Sequence, residues 1–336
     1  MKRGNTTKDK VLLLLKNREN YMSGEEMSQE IGVSRAAVHT AVKKLRLEGY
    51  EIASVTNRGY RLENSVDQLS VGEIASYLNE GREKDILCYD VIDSTNTKAK
   101  ELAQQGAKEG TVVIANSQTA GRGRLGRNFQ SDRDKGIYMS MLLRPKCEIS
   151  QISEITAWVA VCVSRAITRA CGKQAGIKWV NDVVMNGKKI CGILTEMAME
   201  SESGFIQHVV VGIGINVHNK EEDFPEEIRK IASSVDVESG VRGNRAKLAA
   251  YIIEELDIMY AHFPNEKDEY LSYYRKNCVN LGREVRVLRR GEERTGRAEE
   301  ITEDFRLKVS YENGEHEMVS SGEVSVRGLY GYVDLG

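Results

Sequence analysis

An arginine- and glycine-rich segment carries the side chains of this chain that are best suited to binding an anion. Residues 121–127 read GRGRLGR. Glycine lets the backbone approach a ligand closely, and each guanidinium can donate paired hydrogen bonds to a phosphate or a carboxylate. Strand-like runs at residues 111–115 and 137–143 flank the segment, so we predict a binding loop within a sheet. By composition alone, an RG-rich nucleic-acid tail or a solvated loop remains an equal alternative.

A second polar group precedes this loop. Residues 93–96 read DSTN and stand where a predicted strand gives way to a predicted helix. Their side chains and the free N–H groups of the first helical turn can hold small polar parts of a ligand. Simple N-capping explains Ser94 or Thr95 but not the whole group.

A third group is built around a predicted hairpin. Residues 178–182 read KWVND and place a cation, a large aromatic side chain and two polar groups at a strand end. An Asn-Gly turn at residues 186–187 predicts the hairpin, whose second strand begins near Lys189. On simple strand alternation, Lys189 shares a face with Cys191. A single lysine at such a position is usually an ordinary surface residue.

The glycine repeat at residues 212–217, GIGINV, is a weak signal by itself. It lacks the third glycine and the following helix of a dinucleotide-binding fingerprint, and the chain contains no GxxxxGK[ST] sequence. A nucleotide bound here is therefore held in another way.

The elements around these groups predict an α+β domain. Strands are expected at residues 86–92, 111–115, 137–143, 176–180 and 205–213, and helices at 96–105, 152–170 and 244–262. This order favours a mainly antiparallel or mixed sheet with helices on one face. Four short strand-like runs between residues 280 and 328, with an Asn-Gly turn at 313–314, predict a small C-terminal β-barrel.

Bulk composition excludes several classes of protein. A chain of 336 residues with 40% hydrophobic content predicts two or three globular domains. The aliphatic run at residues 11–15 is too short to span a membrane and lacks a signal-peptide cleavage site, so we expect a cytoplasmic protein that does not insert into membranes. The six cysteines and five histidines do not cluster, which predicts reduced thiols and no metal site.

The N-terminal end is basic within a chain whose net charge is −2. Residues 1–62 carry twelve Lys or Arg against seven Asp or Glu. Apolar spacing and capping residues predict three helices, the second opened by Ser23 and the third by Ser34, followed by a hairpin with Arg58 at its tip. This pattern is typical of a winged helix-turn-helix. A three-helix packing module with a solvated basic face is the alternative. The predicted DNA contacts are Ser23, Ser34, Arg35, Ala36, His39, Thr40, Lys43, Lys44 and Arg58.

These motifs together resemble those of the biotin protein ligases. The loop at 121–127, KWVND at 178–182, KKICGIL at 188–194 and GIGIN at 212–216 follow one another in the order and spacing of that family. With the winged helix-turn-helix in front, the chain resembles the bifunctional members that also repress the biotin operon. The polar, aperiodic run at 63–70 predicts a linker at 64–70, and we expect domains at 1–63, 71–275 and 276–336, which the resemblance also implies. The resemblance implies a DNA-binding domain, a class II synthetase-like ligase domain with a mixed sheet, and an SH3-like β-barrel.

The resemblance also implies a reaction. Biotin and ATP, with Mg²⁺, give biotinoyl-5′-AMP, and a lysine of a biotin carboxyl carrier protein then takes the biotinoyl group. The implied biotin contacts are Ser94, Thr95, Asn96, Gln118, Arg122, Gly123, Arg124 and Lys189. The implied nucleotide contacts are Arg127, Asn181 and Asn216. The implied catalytic residues are Lys189 and Arg124, with Lys178 as a second candidate for charge neutralisation and Asp182 for orienting the acceptor amine.

Two residues depart from the family pattern. Val180 stands where proline is usual, and Phe129 stands where many members have tryptophan. We expect Phe129 to keep an aromatic cover over the site. The resemblance further implies a homodimer that binds a two-part operator when the adenylate is bound. A transcription factor that only senses its ligand, and a ligase for lipoate or another acyl group, stay open as alternatives.

Overall fold

The computed structural model describes residues 6–199, 205–289, 292–320 and 324–328. Its first part is a winged helix-turn-helix, as predicted. The elements are α1 (Thr7–Lys16), α2 (Gly24–Ile31), α3 (Arg35–Leu47) and the hairpin β1 (Glu51–Val55) and β2 (Gly59–Asn64). Ser23 and Glu26 form the expected capping box at the start of α2, and the Ser34 side chain accepts a hydrogen bond from Ala37 N at the start of α3.

The central part is built on a seven-stranded mixed sheet. Its strands are β3 (Ile86–Ile92), β4 (Val112–Gln118), β5 (Gly136–Leu143), β6 (Gly176–Lys178), β7 (Asp182–Met185), β8 (Lys188–Met199) and β9 (Ile206–Asn216). Its helices are α4 (Val71–Ala75), α5 (Thr95–Gln104), α6 (Ile149–Cys171), α7 (Glu226–Arg229), α8 (Val235–Ser239), α9 (Arg245–His262) and α10 (Lys267–Asn277). The strand order is β3-β4-β5-β9-β8-β7-β6, with β3 and β4 parallel and the other neighbours antiparallel. The predicted mixed sheet is confirmed.

Helices cover both faces of this sheet, so the prediction of one covered face is wrong. Helices α6 and α9 contribute to the main core, where side chains of β4 such as Val112 and Ile114 are also buried. The alternate residues Val113 and Ala115 point to the other face and pack with Ala99 of α5 in a second core. Because strand side chains alternate between faces, a strand buried on both sides reads as a continuous apolar run, which does not show how many helices cover it.

The C-terminal part is a five-stranded antiparallel sheet. Its strands are β10 (Glu284–Arg289), β11 (Glu292–Ile301), β12 (Leu307–Ser310), β13 (His316–Val319) and β14 (Val324–Gly328), in the order β13-β12-β11-β10-β14. Trp179 joins it to the central sheet, since its backbone N donates to Asn280 Oδ1 over 2.7 Å and its Nε1 donates to the Phe305 carbonyl over 2.9 Å. The small domain is therefore bonded directly beside the strand that carries Lys178.

Contacts also dock the winged helix-turn-helix on the central domain. Gly72 N of α4 donates to Asp9 Oδ1 of α1 over 3.2 Å, and Lys16 of α1 pairs with the fully buried Glu73 of α4. Within the segment predicted as a linker, Asp67 accepts hydrogen bonds from the backbone N and from Nε of the buried Arg245, each over 2.9 Å. The predicted linker is therefore anchored to the central domain at Asp67.

Candidate active site

One cavity of about 660 Å³ is lined by every residue that the sequence predicted to contact biotin or the nucleotide or to take part in the reaction. It lies beside β4, β8 and β9, the start of α5 and the arginine loop. These residues are Ser94, Thr95, Asn96, Gln118, Arg122, Gly123, Arg124, Arg127, Lys178, Asn181, Asp182, Lys189 and Asn216. Four sequence-separated motifs therefore meet at one site.

The start of α5 forms one side of the cavity floor. Thr95 N donates to Gln118 Oε1 over 2.8 Å, and Gln118 Nε2 donates to Ser131 Oγ over 2.8 Å. Ser94 occupies the N-cap position, yet within the described residues its side chain makes no capping hydrogen bond. Ser94 is buried and lines the cavity, so N-capping does not account for its presence there.

Asn96 is the most heavily bonded residue of this floor. Its Nδ2 donates to Glu196 Oε2 over 2.7 Å and to the Leu194 carbonyl over 3.3 Å, and its Oδ1 accepts from Ser140 Oγ over 2.6 Å. Both amide hydrogens are thus engaged, and a lone pair of Oδ1 is what the side chain retains for a ligand. Sequence reasoning missed Glu196 and Ser140; Ser140 is the one hydroxyl in the apolar run at 139–143, MSMLL, and that signal would have marked it.

The glycines of the repeat at 212–216 leave space for two side chains that line the cavity, Asn96 and Phe129. A Cβ at Gly212 would overlap the amide of Asn96, and a Cβ at Gly214 would overlap the ring of Phe129. The repeat therefore acts by close packing, not as a nucleotide-binding turn. Phe129 lines the cavity over Gly214, so the predicted aromatic cover is present.

The arginine loop is a short turn closed by its own backbone. Phe129 N donates to the Gly121 carbonyl over 2.9 Å, and Gly123 N donates to the Arg127 carbonyl over 2.7 Å. At the tip, Leu125 has a left-handed φ of 54° and is 61% exposed. Arg124 reaches across the cavity, where its Nη1 donates to Asn181 Oδ1 over 2.6 Å. This bond joins the arginine loop to the KWVND motif at residues 178–182.

Lys189 and Asp182 form an ion pair at the opposite wall. Lys189 Nζ lies 2.6 Å from Asp182 Oδ1, and the nearby Lys178 is buried at the end of β6. The predicted shared face of Lys189 and Cys191 is wrong, because the β7–β8 register shifts here: Val183 pairs with Cys191, whereas Val184 pairs with Lys189. Because of this bulge, the Lys189 side chain points to the cavity. Its Nζ would lie 3.1 Å from a Cβ placed on Gly192.

Cys191 consequently points into the core and takes no part in the site. It is fully buried, and this burial raises the pKa of its thiol. A thiol without thiolate character is a poor nucleophile, so the cavity holds no activated cysteine at this position.

An apolar wall that no sequence motif marked closes the cavity near Asn216. It is formed by Phe224, Ile228, Ile231 and Ala232 from the segment around α7. Backbone bonds hold this wall against β8: Lys189 N donates to the Ile231 carbonyl over 2.8 Å, and Ser233 N donates to the Lys189 carbonyl over 2.9 Å. Asn216 Nδ2 donates to the Ser233 carbonyl over 3.0 Å. The segment has no periodicity or motif that predicts such a contact.

The charge of the lining favours an anionic ligand. Among the described residues, six cationic side chains and two carboxylates line the cavity; the cations are Arg122, Arg124, Arg127, Lys178, Lys189 and Arg286, and the acids are Asp182 and Glu227. Arg286 comes from β10 of the C-terminal domain and was not predicted. In the stretches that the structure describes, no group of three or more His, Cys, Asp or Glu side chains is placed to hold a metal ion.

Comparison with known proteins identifies the family. A model of the biotin/lipoate A/B protein ligase family matches residues 88–216, and a model of the biotin protein ligase C-terminal domain matches residues 281–327. The bifunctional ligase/repressor BirA of Bacillus spizizenii strain W23 is 41% identical over 252 residues, which cover 75% of this chain and 77% of that protein. This chain belongs to the family of bifunctional biotin ligase/repressors. The BirA of Escherichia coli K12 is 28% identical to this chain, over an alignment that covers 96% of this chain and 98% of that protein.

Solved structures agree with this family. The biotin protein ligase from Aquifex aeolicus, solved in complex with biotin and ATP, is 29% identical with a TM-score of 0.62. That similarity covers 73% of this chain and 99% of the Aquifex chain. The central mixed sheet and the SH3-like C-terminal sheet are therefore those of a biotin protein ligase.

The repressor part of such a bifunctional ligase requires a DNA-reading surface. A helix-turn-helix model matches residues 7–61, and α3 is the second helix of that motif. Most of the predicted DNA contacts are exposed along α3 or at the hairpin tip: Ser34, Arg35, Ala36, His39, Thr40, Lys43, Lys44 and Arg58. Ser23 is half-buried and caps α2 instead. None of the helices in the described part of this ligase/repressor is long and apolar enough to cross a membrane.

Proposed function

We propose that this cavity joins biotin to ATP and that the chain is at once a ligase and a repressor. The observation that carries the proposal is the meeting, in one cavity, of a neutral hydrogen-bonding floor, six cations and an apolar wall. Biotin presents a polar ring and a carboxylate, and ATP presents a polyanion and a purine. The cavity matches each of these chemistries with a separate surface.

The floor would bind biotin. Ser94, Thr95, Asn96 and Gln118 offer polar groups to its ring, and the arginine loop, with Arg122, Gly123 and Arg124, lies over its carboxylate end. Asn96 takes part as a hydrogen-bond acceptor, since Glu196 and Leu194 occupy its amide hydrogens. A ring N–H of the ligand is the group that fits this acceptor.

The cationic wall would hold the reacting anions. The carboxylate oxygen of biotin attacks the α-phosphorus of ATP, a P–O bond forms, and pyrophosphate leaves with the electrons of the broken P–O bond. Because two anions must meet, catalysis comes from positioning and positive charge rather than from a nucleophilic side chain. Lys189 and Arg124 supply this charge, and Lys178 is a second candidate. ATP is taken as its Mg²⁺ complex, since Mg²⁺ binds mostly through phosphate oxygens and water.

The nucleotide would lie between Arg127, Asn181 and Asn216, with its purine against the apolar wall at Phe224 and Ile228. In the second reaction, a lysine amine of a biotin carboxyl carrier protein attacks the acyl carbon of biotinoyl-5′-AMP. AMP leaves with the electrons of the acyl C–O bond, and the amine loses a proton. Asp182 is our candidate for orienting this amine.

The two activities would be linked through one ligand. Biotinoyl-AMP orders the arginine loop and completes a homodimer surface, and the dimer binds a two-part operator in the cytoplasm. Abundant unmodified carrier consumes the adenylate and lifts repression. The hypothesis requires dimerisation to strengthen with the adenylate, and an unchanged dimerisation constant would refute it.

The deciding experiment incubates the purified protein with biotin, ATP and Mg²⁺ and follows pyrophosphate release and retained biotinoyl-AMP. DNA with two half-sites is then added. Adenylate formation together with tighter DNA binding is the expected result. Tighter DNA binding with biotin but without pyrophosphate would favour a sensor lacking ligase activity. Preferential use of lipoate in competition would favour a ligase for another acid.

A further inference from the structure

Glu196 lies behind the proposed biotin floor and belongs to none of the motifs. It stands on β8, and three groups from two other segments meet its carboxylate. Asn96 Nδ2 donates to Oε2 over 2.7 Å, Lys100 Nζ donates to Oε1 over 2.6 Å, and Arg122 Nη2 lies 3.7 Å from Oε1. A single carboxylate thus touches the floor, the helix α5 and the arginine loop.

The carboxylate decides how the Asn96 amide is oriented. An ionised carboxylate only accepts hydrogen bonds, and so does the Leu194 carbonyl. Both acceptors face the same end of the Asn96 amide, which must therefore be the NH2 end. Ser140 Oγ, 2.6 Å from Oδ1, donates to the other end. A flipped amide would set the Asn96 oxygen against two acceptors, the Glu196 carboxylate and the Leu194 carbonyl, which is costly in a buried site.

We propose that Glu196 is the positioning residue that sets the hydrogen-bonding polarity of the biotin floor. By holding the NH2 group of Asn96 toward the protein, it leaves Oδ1 as an acceptor, and the site selects a ligand with a ring N–H at that place. The inference rests on the proposed function, because it names the ligand group that the floor reads.

The ionisation of Glu196 supports this role. Burial disfavours its charged form, yet the hydrogen bonds from Lys100 and Asn96 and the charges of Lys100 and Arg122 outweigh burial and lower the pKa of the carboxyl. Glu196 therefore remains an acceptor throughout the neutral range. A protonated acid could instead donate and would permit either orientation of the amide.

The first test compares Glu196→Ala with Glu196→Gln. A glutamine at 196 can still accept from Asn96 Nδ2 through its oxygen, whereas alanine cannot. We expect the alanine variant to raise the KM for biotin at least tenfold with kcat changed less than threefold, and the glutamine variant to stay within about threefold in KM, a split that reports binding rather than chemistry. Glu101→Gln is the matched control, since Glu101 pairs over 2.6 Å with Lys98 at the exposed surface of α5, the helix that carries Asn96 and Lys100.

The sharper test is a rescue. Asn96→Asp places a second acceptor against Glu196 and should raise the dissociation constant for biotin about a hundredfold. Adding Glu196→Gln supplies an N–H donor to the new aspartate and should recover at least tenfold of that loss, which a merely structural role of Glu196 would not produce. No recovery in the double variant, or unchanged affinity in Glu196→Ala, would overturn the inference.

Titration calorimetry with biotin alone tests this inference independently of the proposed ligase reaction. It needs no turnover, so it measures the floor even if the wild-type protein forms no adenylate. A wild-type protein that binds biotin but releases no pyrophosphate refutes the ligase proposal and leaves the inference standing. Thermal unfolding of each variant verifies that it is folded; if Glu196→Ala is not, Glu196→Asp, whose shorter side chain keeps the charge but withdraws from Asn96, takes its place.

Discussion

The floor and the arginine loop, which we propose bind the two ends of one ligand, are built in opposite ways. In the floor, Asn96 is 4% exposed and Ser140 is fully buried, and every bond described for them is to another protein group. In the loop, the Arg122 side chain is 52% exposed and Leu125 is 61% exposed, and the closing bonds are between backbone atoms. The floor is thus held by buried side-chain bonds, whereas the loop is held mainly by its backbone and keeps Arg122 half-exposed, with Arg124 bonded to Asn181.

The physical cost of an unpaired group explains this division. A buried donor or acceptor without a partner destabilises the fold by about 1 to 3 kcal/mol, so a floor of this kind must be bonded in one arrangement. An exposed guanidinium stays hydrated and contributes little until an anion displaces its water. Recognition of a neutral ring therefore suits a rigid surface, and stabilisation of developing charge suits a loop that closes late.

The largest effect should come from the loop. Arg124→Ala removes the guanidinium that we propose stabilises the reacting phosphate and should lower adenylate formation about a hundredfold, the usual size for one such donor. Biotin affinity should fall far less, because the floor is untouched, and DNA-domain folding should be unchanged. Rapid filtration of labelled adenylate measures both its formation and its half-life. Arg133→Ala is the control, since Arg133 is an exposed arginine just beyond the loop, paired with Asp90 over 2.7 Å.

An adenylate that forms and persists normally on Arg124→Ala would contradict the assigned role. A collapse of biotin affinity in the same variant would break the comparison instead, because the loop would then be part of the rigid recognition surface.

The next effect should come from packing in the floor. Gly212→Ala places a methyl group onto the Asn96 amide, which has no space to move because three bonds hold it. We expect the KM for biotin to rise at least tenfold. Gly123→Ala is the matched change in the loop, where the new methyl group would lie 3.3 Å from the nearest atom, the Arg127 carbonyl oxygen, and should raise this KM less than Gly212→Ala does. Equal effects of the two alanines would remove the distinction between floor and loop.

Sequence patterns predicted the charged and capping groups well. Arginines, lysines and polar motifs stand out against their neighbours, and the caps at Ser23 and Ser34 act locally, within three residues along the chain. The family resemblance then placed the distant motifs in one site. The resemblance itself, rather than spacing alone, supplied the ligand and the individual roles.

Long-range packing accounts for what the patterns missed. Glu196 meets Asn96 across about a hundred residues of chain, and the β8 bulge that turns Lys189 to the cavity depends on pairing with β7. The wall at Phe224 and Ile228 and the cation Arg286 reach the cavity through tertiary contacts without any periodic signal. The second helical layer was missed for the same reason, because α5 is placed by burial against the sheet.

A smaller contrast should appear in stability. Ser140→Ala leaves the buried Asn96 oxygen without its donor and should lower the free energy of unfolding by about 1 to 3 kcal/mol. Leu125→Ala, at the exposed loop tip, should change it by less than about 0.5 kcal/mol. Chemical denaturation of both variants beside the wild type measures the difference. A loop-tip change as costly as the loss of Ser140 would mean that the loop is as tightly built as the floor.

The smallest expected effect is a pH dependence that only the floor should show. The pKa of Glu196 is lowered in the folded protein, so its ionised form stabilises the native state above the ordinary glutamic-acid value of 4.5, and this stabilisation is lost as pH falls through the folded value. The charged groups that face Glu196 are the cations Lys100 and Arg122. The difference in unfolding free energy between wild type and Glu196→Gln should therefore be constant from pH 8 to about 5 and shrink at lower pH. The corresponding difference for Arg124→Ala should show no such step, because a guanidinium does not titrate there. A step near neutral pH would instead show that another group titrates, and it would contradict the role proposed for the Glu196 carboxylate.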